Sequence, residues 1–118
     1  MITLATLPNA TAQEVFDQVA THLLTQNERA MSPENTCAYH APDGKKCAAG
    51  CLISDEEYDT HFEGSNWLAL LDYYPNSIPD AHAELIIDLQ HIHDTLHPNH
   101  WRDGLFCLAK DKNLTFNH

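Results

Sequence analysis

The sequence predicts an α+β domain, mostly helical, in which four to five helices pack around one antiparallel β-hairpin. Three observations carry that expectation. Apolar residues recur at helical spacing in several segments, most regularly at Leu85, Ile86, Leu89, Ile92 and Leu96. Pro42-Asp43-Gly44 suits a type I turn followed by a left-handed bulge residue, between segments where small and aromatic residues alternate. The 118 residues, 43% apolar and 19% charged, match one globular domain of ~100–150 residues, so a single domain over 1–118 is expected.

Taken in order, Thr11-Ala-Gln-Glu14 is a capping box, and Val15, Phe16, Val19, Ala20, Leu23 and Leu24 continue it as a helix from Thr11 to Gln26. The hairpin register sets Tyr39 opposite Cys47. It places Cys37, Tyr39, Cys47, Ala49 and Cys51 on one face and Ala38, His40, Ala48 and Gly50 on the other. Ser54-Asp-Glu-Glu57, flanked by Ile53 and Tyr58, predicts the start of a short helix. Trp67 to Tyr74 makes a further turn or two, closed by Pro75. Pro79 fits an early position of the most amphipathic helix, which ends at His97 before Pro98. A last helix follows Asn99 and fades near Asn113, weakened by Gly104.

The formal net charge is −11, beyond the magnitude of ~2–8 that suffices for solubility. Between Lys46 and Arg102 there is no Lys or Arg, while Asp55, Glu56, Glu57, Asp59, Glu63, Asp72, Asp80, Glu84, Asp88 and Asp94 all fall there. Such a surface repels nucleic-acid phosphates and attracts basic partners. Asp80, Glu84 and Asp88 recur every four residues on the outer side of their helix, a like-charge ladder with nothing local to offset it. Met1 to Ala10 carry no Lys or Arg and only a broken apolar run, unlike a signal peptide, and no apolar run is long enough to span a membrane, so a cytoplasmic location without membrane contact is expected. Cys37, Cys47, Cys51 and Cys107 are then expected to be free thiols.

Three constellations bear on chemistry. Cys37, Cys47 and Cys51 with a histidine could ligate zinc, but a regular strand would hold Cys47 and Cys51 about 13 Å apart; burial as small apolar groups is the simpler expectation. His93 and His97 have the i, i+4 spacing of a chelating pair without the glutamate of a metal hydrolase, and capping of the last carbonyls of their helix is the alternative. Cys47 with His93 and Asp94 forms a possible nucleophile, base and orienter. No phosphate loop or dinucleotide fingerprint occurs, and no metal or cofactor is expected.

Thr36-Cys-Ala-Tyr-His-Ala-Pro-Asp-Gly-Lys-Lys-Cys-Ala-Ala-Gly-Cys-Leu-Ile-Ser-Asp-Glu-Glu-Tyr58, Leu89-Gln-His-Ile-His-Asp94 with Trp101, and the preceding Glu14-Val-Phe-Asp-Gln-Val-Ala-Thr-His-Leu-Leu24 together resemble a group of small uncharacterised proteins of tailed phages and prophages of proteobacteria. The pattern covers nearly the whole chain. It departs at His40-Ala41, where the group carries an Arg-Gly-like pair, and it transfers no catalytic residue. The resemblance implies an accessory protein that disables a host machine, such as a nucleic-acid-guided CRISPR effector, by protein contact or nucleic-acid mimicry.

The expected function is thus a non-enzymatic binding protein that meets the basic surface of a host protein or nucleoprotein through Glu56, Glu57, Asp59, Asp80, Glu84 and Asp88. The alternatives are a small zinc- or thiol-dependent enzyme centred on Cys47 and His93, and a structural interaction module. The sequence is compatible with a homodimer.

Overall fold

Helix formation begins where Thr11 closes its capping box. In the computed structural model, which describes all 118 residues, Glu14 N–H donates to Thr11 Oγ1 at 3.1 Å and Thr11 N–H to Glu14 Oε1 at 2.8 Å. The helix α1 spans Ala12–Gln26, buries Val15, Phe16, Val19, Ala20 and Leu23, and stops at Asn27, whose φ of 54° is left-handed. Asn66 caps a short α2, Trp67–Tyr73, by accepting from Ala69 N–H at 2.9 Å. The amphipathic α3 covers Ala83–Thr95, and α4 covers Trp101–Asp111 behind a 3-10 turn at Pro98–His100. Their inward faces meet in one core that includes Phe16, Trp67, Leu70, Leu89, Trp101 and Leu105. No helix is long and apolar enough to cross a membrane.

The fold is helical, without a β-strand or sheet, and the expected α+β class is incorrect. The Pro42-Asp43-Gly44 turn does close, with Gly44 N–H donating to Ala41 O at 3.0 Å and Gly44 at φ 92°. Only single antiparallel bridges form, His40 with Lys46 and Met31 with Cys37. Pairing stops because other acceptors take the donors. Glu63 binds the N–H groups of Tyr39 and His40 at 2.9 and 3.1 Å, and beyond Cys47 the chain winds into a 3-10 turn at Gly50–Leu52. Ala48, Ala49 and Gly50 are all buried, so the two-faced alternation is absent. The winding also brings Cys51 N–H to Cys47 O at 3.1 Å, far from the strand spacing expected between these cysteines.

Three element boundaries differ from expectation. The Ser54–Glu57 capping box forms but supports only one turn, because Glu57 also accepts from Leu4 and Ala5 N–H and ties the turn to the N-terminal segment. Helix α3 starts four residues after Pro79, since His82 sits at φ 59° and its Nε2–H donates to Ala10 O at 2.7 Å. It ends at Thr95 rather than His97 because Leu96 turns extended. Its last carbonyls are capped by Arg29, which donates to His93 O at 3.2 Å and Leu96 O at 2.7 Å, and neither His93 nor His97 does so.

Candidate functional site

Helix α3 carries both groups of sequence-derived candidates, so its two sides define the site. On the outer side Glu84 and Asp88 are bridged by Lys112 Nζ at 2.8 and 3.2 Å. The ladder is therefore partly offset by one cation far away in sequence, just past the end of α4. Asp80 precedes the helix, exposed and without an ion pair. Glu56 is likewise exposed, whereas Glu57 is occupied by Leu4, Ala5 and Ser54 N–H groups. Asp59 accepts from His61 N–H at 2.8 Å and contacts His61 Nδ1 at 2.8 Å, which holds its carboxyl below the usual range. Glu56, Asp80, Glu84 and Asp88 thus remain on the surface, while Glu57 and Asp59 serve the fold around them.

On the inner side, His93 is fully buried and stacks on Trp101 with ring centroids 5.4 Å apart. Ala30 N–H donates to its Nε2 at 3.1 Å. A backbone N–H can only donate, so Nε2 is the bare nitrogen and the proton resides on Nδ1, which donates to Asp94 Oδ1 at 2.8 Å. Gln90 Nε2 donates to the same Asp94 oxygen at 2.8 Å, and its Oε1 holds Ala49 N–H at 2.9 Å. Partial burial pushes the Asp94 carboxyl up, but hydrogen bonds from His93, Cys37 and Gln90 outweigh it and hold it below the usual carboxylate range. Asp94 is thus a fixed anion with its side chain 39% exposed.

The cysteines sort by environment. Cys37 and Cys47 line one cleft with Tyr39, Asn66, Gln90 and Asp94, whereas Cys51 lines a separate groove along α1 with Gln18 and His22. Burial, reinforced by the Asp94 charge, pushes the Cys37 thiol up to about 11. Burial pushes Cys47 well above its ordinary value and Cys51 up to about 12. All four thiols are free, with Cys107 exposed on α4.

Cys37, His93 and Asp94 place ligand-type atoms within 4.8 Å of one another, yet the histidine does not fit a metal there. Metal on Nδ1 would move its proton to Nε2, and that proton would face the Ala30 N–H; ligating histidines instead donate from their second nitrogen. The expected His93–His97 pair is also separated, because His97 lies beyond the helix and its Nδ1 accepts from Asn99 N–H at 3.1 Å. As a nucleophile system the cluster is equally constrained: both His93 nitrogens are engaged, and the thiols beside Asp94 are held protonated.

No protein-family profile, curated protein or solved structure matches this chain. The chemistry on offer is that of the side chains themselves: a fixed carboxylate at Asp94, an acidic column along α3, and apolar groups between them. Sequence reasoning paired Asp94 with His93 as its orienter, and the two are in contact although neighbours on a helix point ~100° apart; it missed the donors Gln90 and Cys37. The i, i+4 spacing of Gln90 and Asp94 was the available signal.

Proposed function

We propose that this chain is a non-enzymatic binding protein that presents the acidic side of α2 and α3 to a basic surface of a partner, the kind of surface that otherwise holds nucleic acid. One observation carries the reading. The 47–101 interval without Lys or Arg folds into α2, α3 and the turns around them, and the α3 column receives a single cation, Lys112, against Glu84, Asp88 and the unpaired Asp80. A partner's Lys and Arg side chains would be steered there and would find uncompensated charge. Exposed Leu68 and Tyr73 on α2 add apolar contact beside it.

The resemblance to small phage and prophage proteins fits a partner drawn from host nucleic-acid-binding or defence complexes, a CRISPR effector among them. A thiol- or zinc-dependent enzyme centred on Cys47 and His93 is disfavoured by the doubly bonded imidazole and the protonated thiols. The test is affinity capture from proteobacterial cytosol with the wild-type chain and with the Asp80→Asn, Glu84→Gln, Asp88→Asn triple variant. A partner released by duplex DNA or RNA and lost with the triple variant supports the reading; one retained by both chains and indifferent to nucleic acid contradicts it.

A further inference from the structure

Asp94 stands where two clefts meet. One of about 290 Å³ is lined by Cys37, Tyr39 and Cys47. The other, of about 210 Å³, lies between α2 and α3 against Trp67, Leu68, Ile87 and His91. Asn66, Gln90 and Asp94 belong to both. The α2–α3 cleft by itself falls below the ~300–1,000 Å³ usual for cofactors and drug-sized ligands, a size that suits a single side chain.

The groups around the α2–α3 cleft define that side chain. His93 and Gln90 donate to Asp94 Oδ1 and the Cys37 thiol also bonds the carboxylate, but all three donors are neutral, and no Lys or Arg of this chain pairs with Asp94. The cleft therefore offers a fixed negative charge to an incoming cation. Leu68 and Ile87 supply an apolar wall for a methylene stem. Trp67, only 1% exposed, has an indole N–H with no hydrogen-bond partner, an uncommon arrangement for a buried donor.

We propose that the α2–α3 cleft is an anchor pocket for an arginine side chain of the basic partner, with the guanidinium on Asp94, the stem against Leu68 and Ile87, and Trp67 lining the cleft beside it. Arginine suits it better than lysine because a weakly hydrated planar fork loses less on entering a half-buried site. The pocket rests on the reading of this side of the molecule as the docking face, but its test uses the chain alone.

The two indole N–H signals of ¹⁵N-labelled protein serve as reporters during titration with N-acetyl-arginine methylamide. The Trp67 signal moves saturably with a dissociation constant on the order of 1–10 mM; the Trp101 signal stays, because that indole already donates to Leu96 O at 3.1 Å. The neutral isostere N-acetyl-citrulline methylamide binds at least about fivefold more weakly. Asp94→Asn keeps acceptors for His93 and Gln90 but reduces the arginine response to the citrulline level, and Leu68→Ala weakens it roughly two- to threefold while leaving the charge in place. An unmoved Trp67 signal, equal responses to the two probes, or a full arginine response in Asp94→Asn overturns the pocket. Salt-sensitive partner capture together with a failed arginine response keeps the docking face and discards the pocket; an Asp94-dependent response with salt-indifferent capture does the reverse.

Discussion

Gly50 shows how one residue decides the local path of this chain. A Cβ there would overlap the carbonyl oxygen of Tyr39, a backbone atom that cannot yield, and the same turn supplies Gly50 O to His40 Nε2 at 3.0 Å. Gly50→Ala is expected to cost about 1–3 kcal/mol as overpacking against a fixed neighbour, read as a lower midpoint in urea at unchanged slope. Cys47→Ser should cost a similar ~1–3 kcal/mol, because a hydroxyl replaces a thiol that is buried and accepts from Gly50 N–H at 3.3 Å. The thiols also differ in reactivity. Iodoacetamide at pH 8 should label Cys107 in the native protein well before Cys37, whose thiol is pushed up to about 11, and all four only in denaturant; rapid native labelling of Cys47 would contradict its burial. For Asp94 the folded carboxyl lies below its unfolded value. Its ionised form thus stabilises the fold fully above pH ~4, and that contribution is lost as pH falls further. Asp94→Asn should therefore lower the stability plateau near neutrality and flatten the acid limb, with the two proteins converging at low pH.

At the scale of the element, α3 joins the two sides of the site, and Lys112 from the end of α4 modulates its charge. Lys112→Met removes the cation from Glu84 and Asp88 and should leave stability nearly unchanged, as exposed pairs contribute little, while raising affinity for a basic partner; an unchanged association rate would separate the ladder from binding. Helices were legible in the sequence where a capping side chain and an apolar stripe agreed, as at Thr11–Glu14 and through Leu85–Ile92. They were illegible where the boundary depends on a distant partner: His82 is held left-handed with its ring on Ala10 O, and Arg29 closes the other end of α3. The hairpin failed for the same reason, since Glu63, more than twenty residues away, takes the Tyr39 and His40 donors that a ladder needs. Of the candidate site, the ladder spacing could be read locally, whereas the bonds converging on Asp94 and the cleft beside Trp67 exist only once α2 packs on α3.

At the scale of the molecule the charge distribution carries the account. Cations cluster in pairs that are largely satisfied internally, with Lys45 on Glu28 and Asp43 and Lys46 on Asp55, while Arg102 and Lys110 of α4 lie over Phe116 and Phe106 respectively. The remaining surface keeps most of the net charge of −11, and a partner is recruited by that field before any specific contact forms. The most direct measurement is the association rate with the captured partner as ionic strength rises from about 20 to 150 mM, a range over which the screening length falls to roughly 8 Å. A steep fall in the association rate with a much smaller change in dissociation is expected, with a clearly shallower slope for the Asp80→Asn, Glu84→Gln, Asp88→Asn variant. An association rate independent of salt in the wild-type chain, or the same slope in the variant, would contradict it.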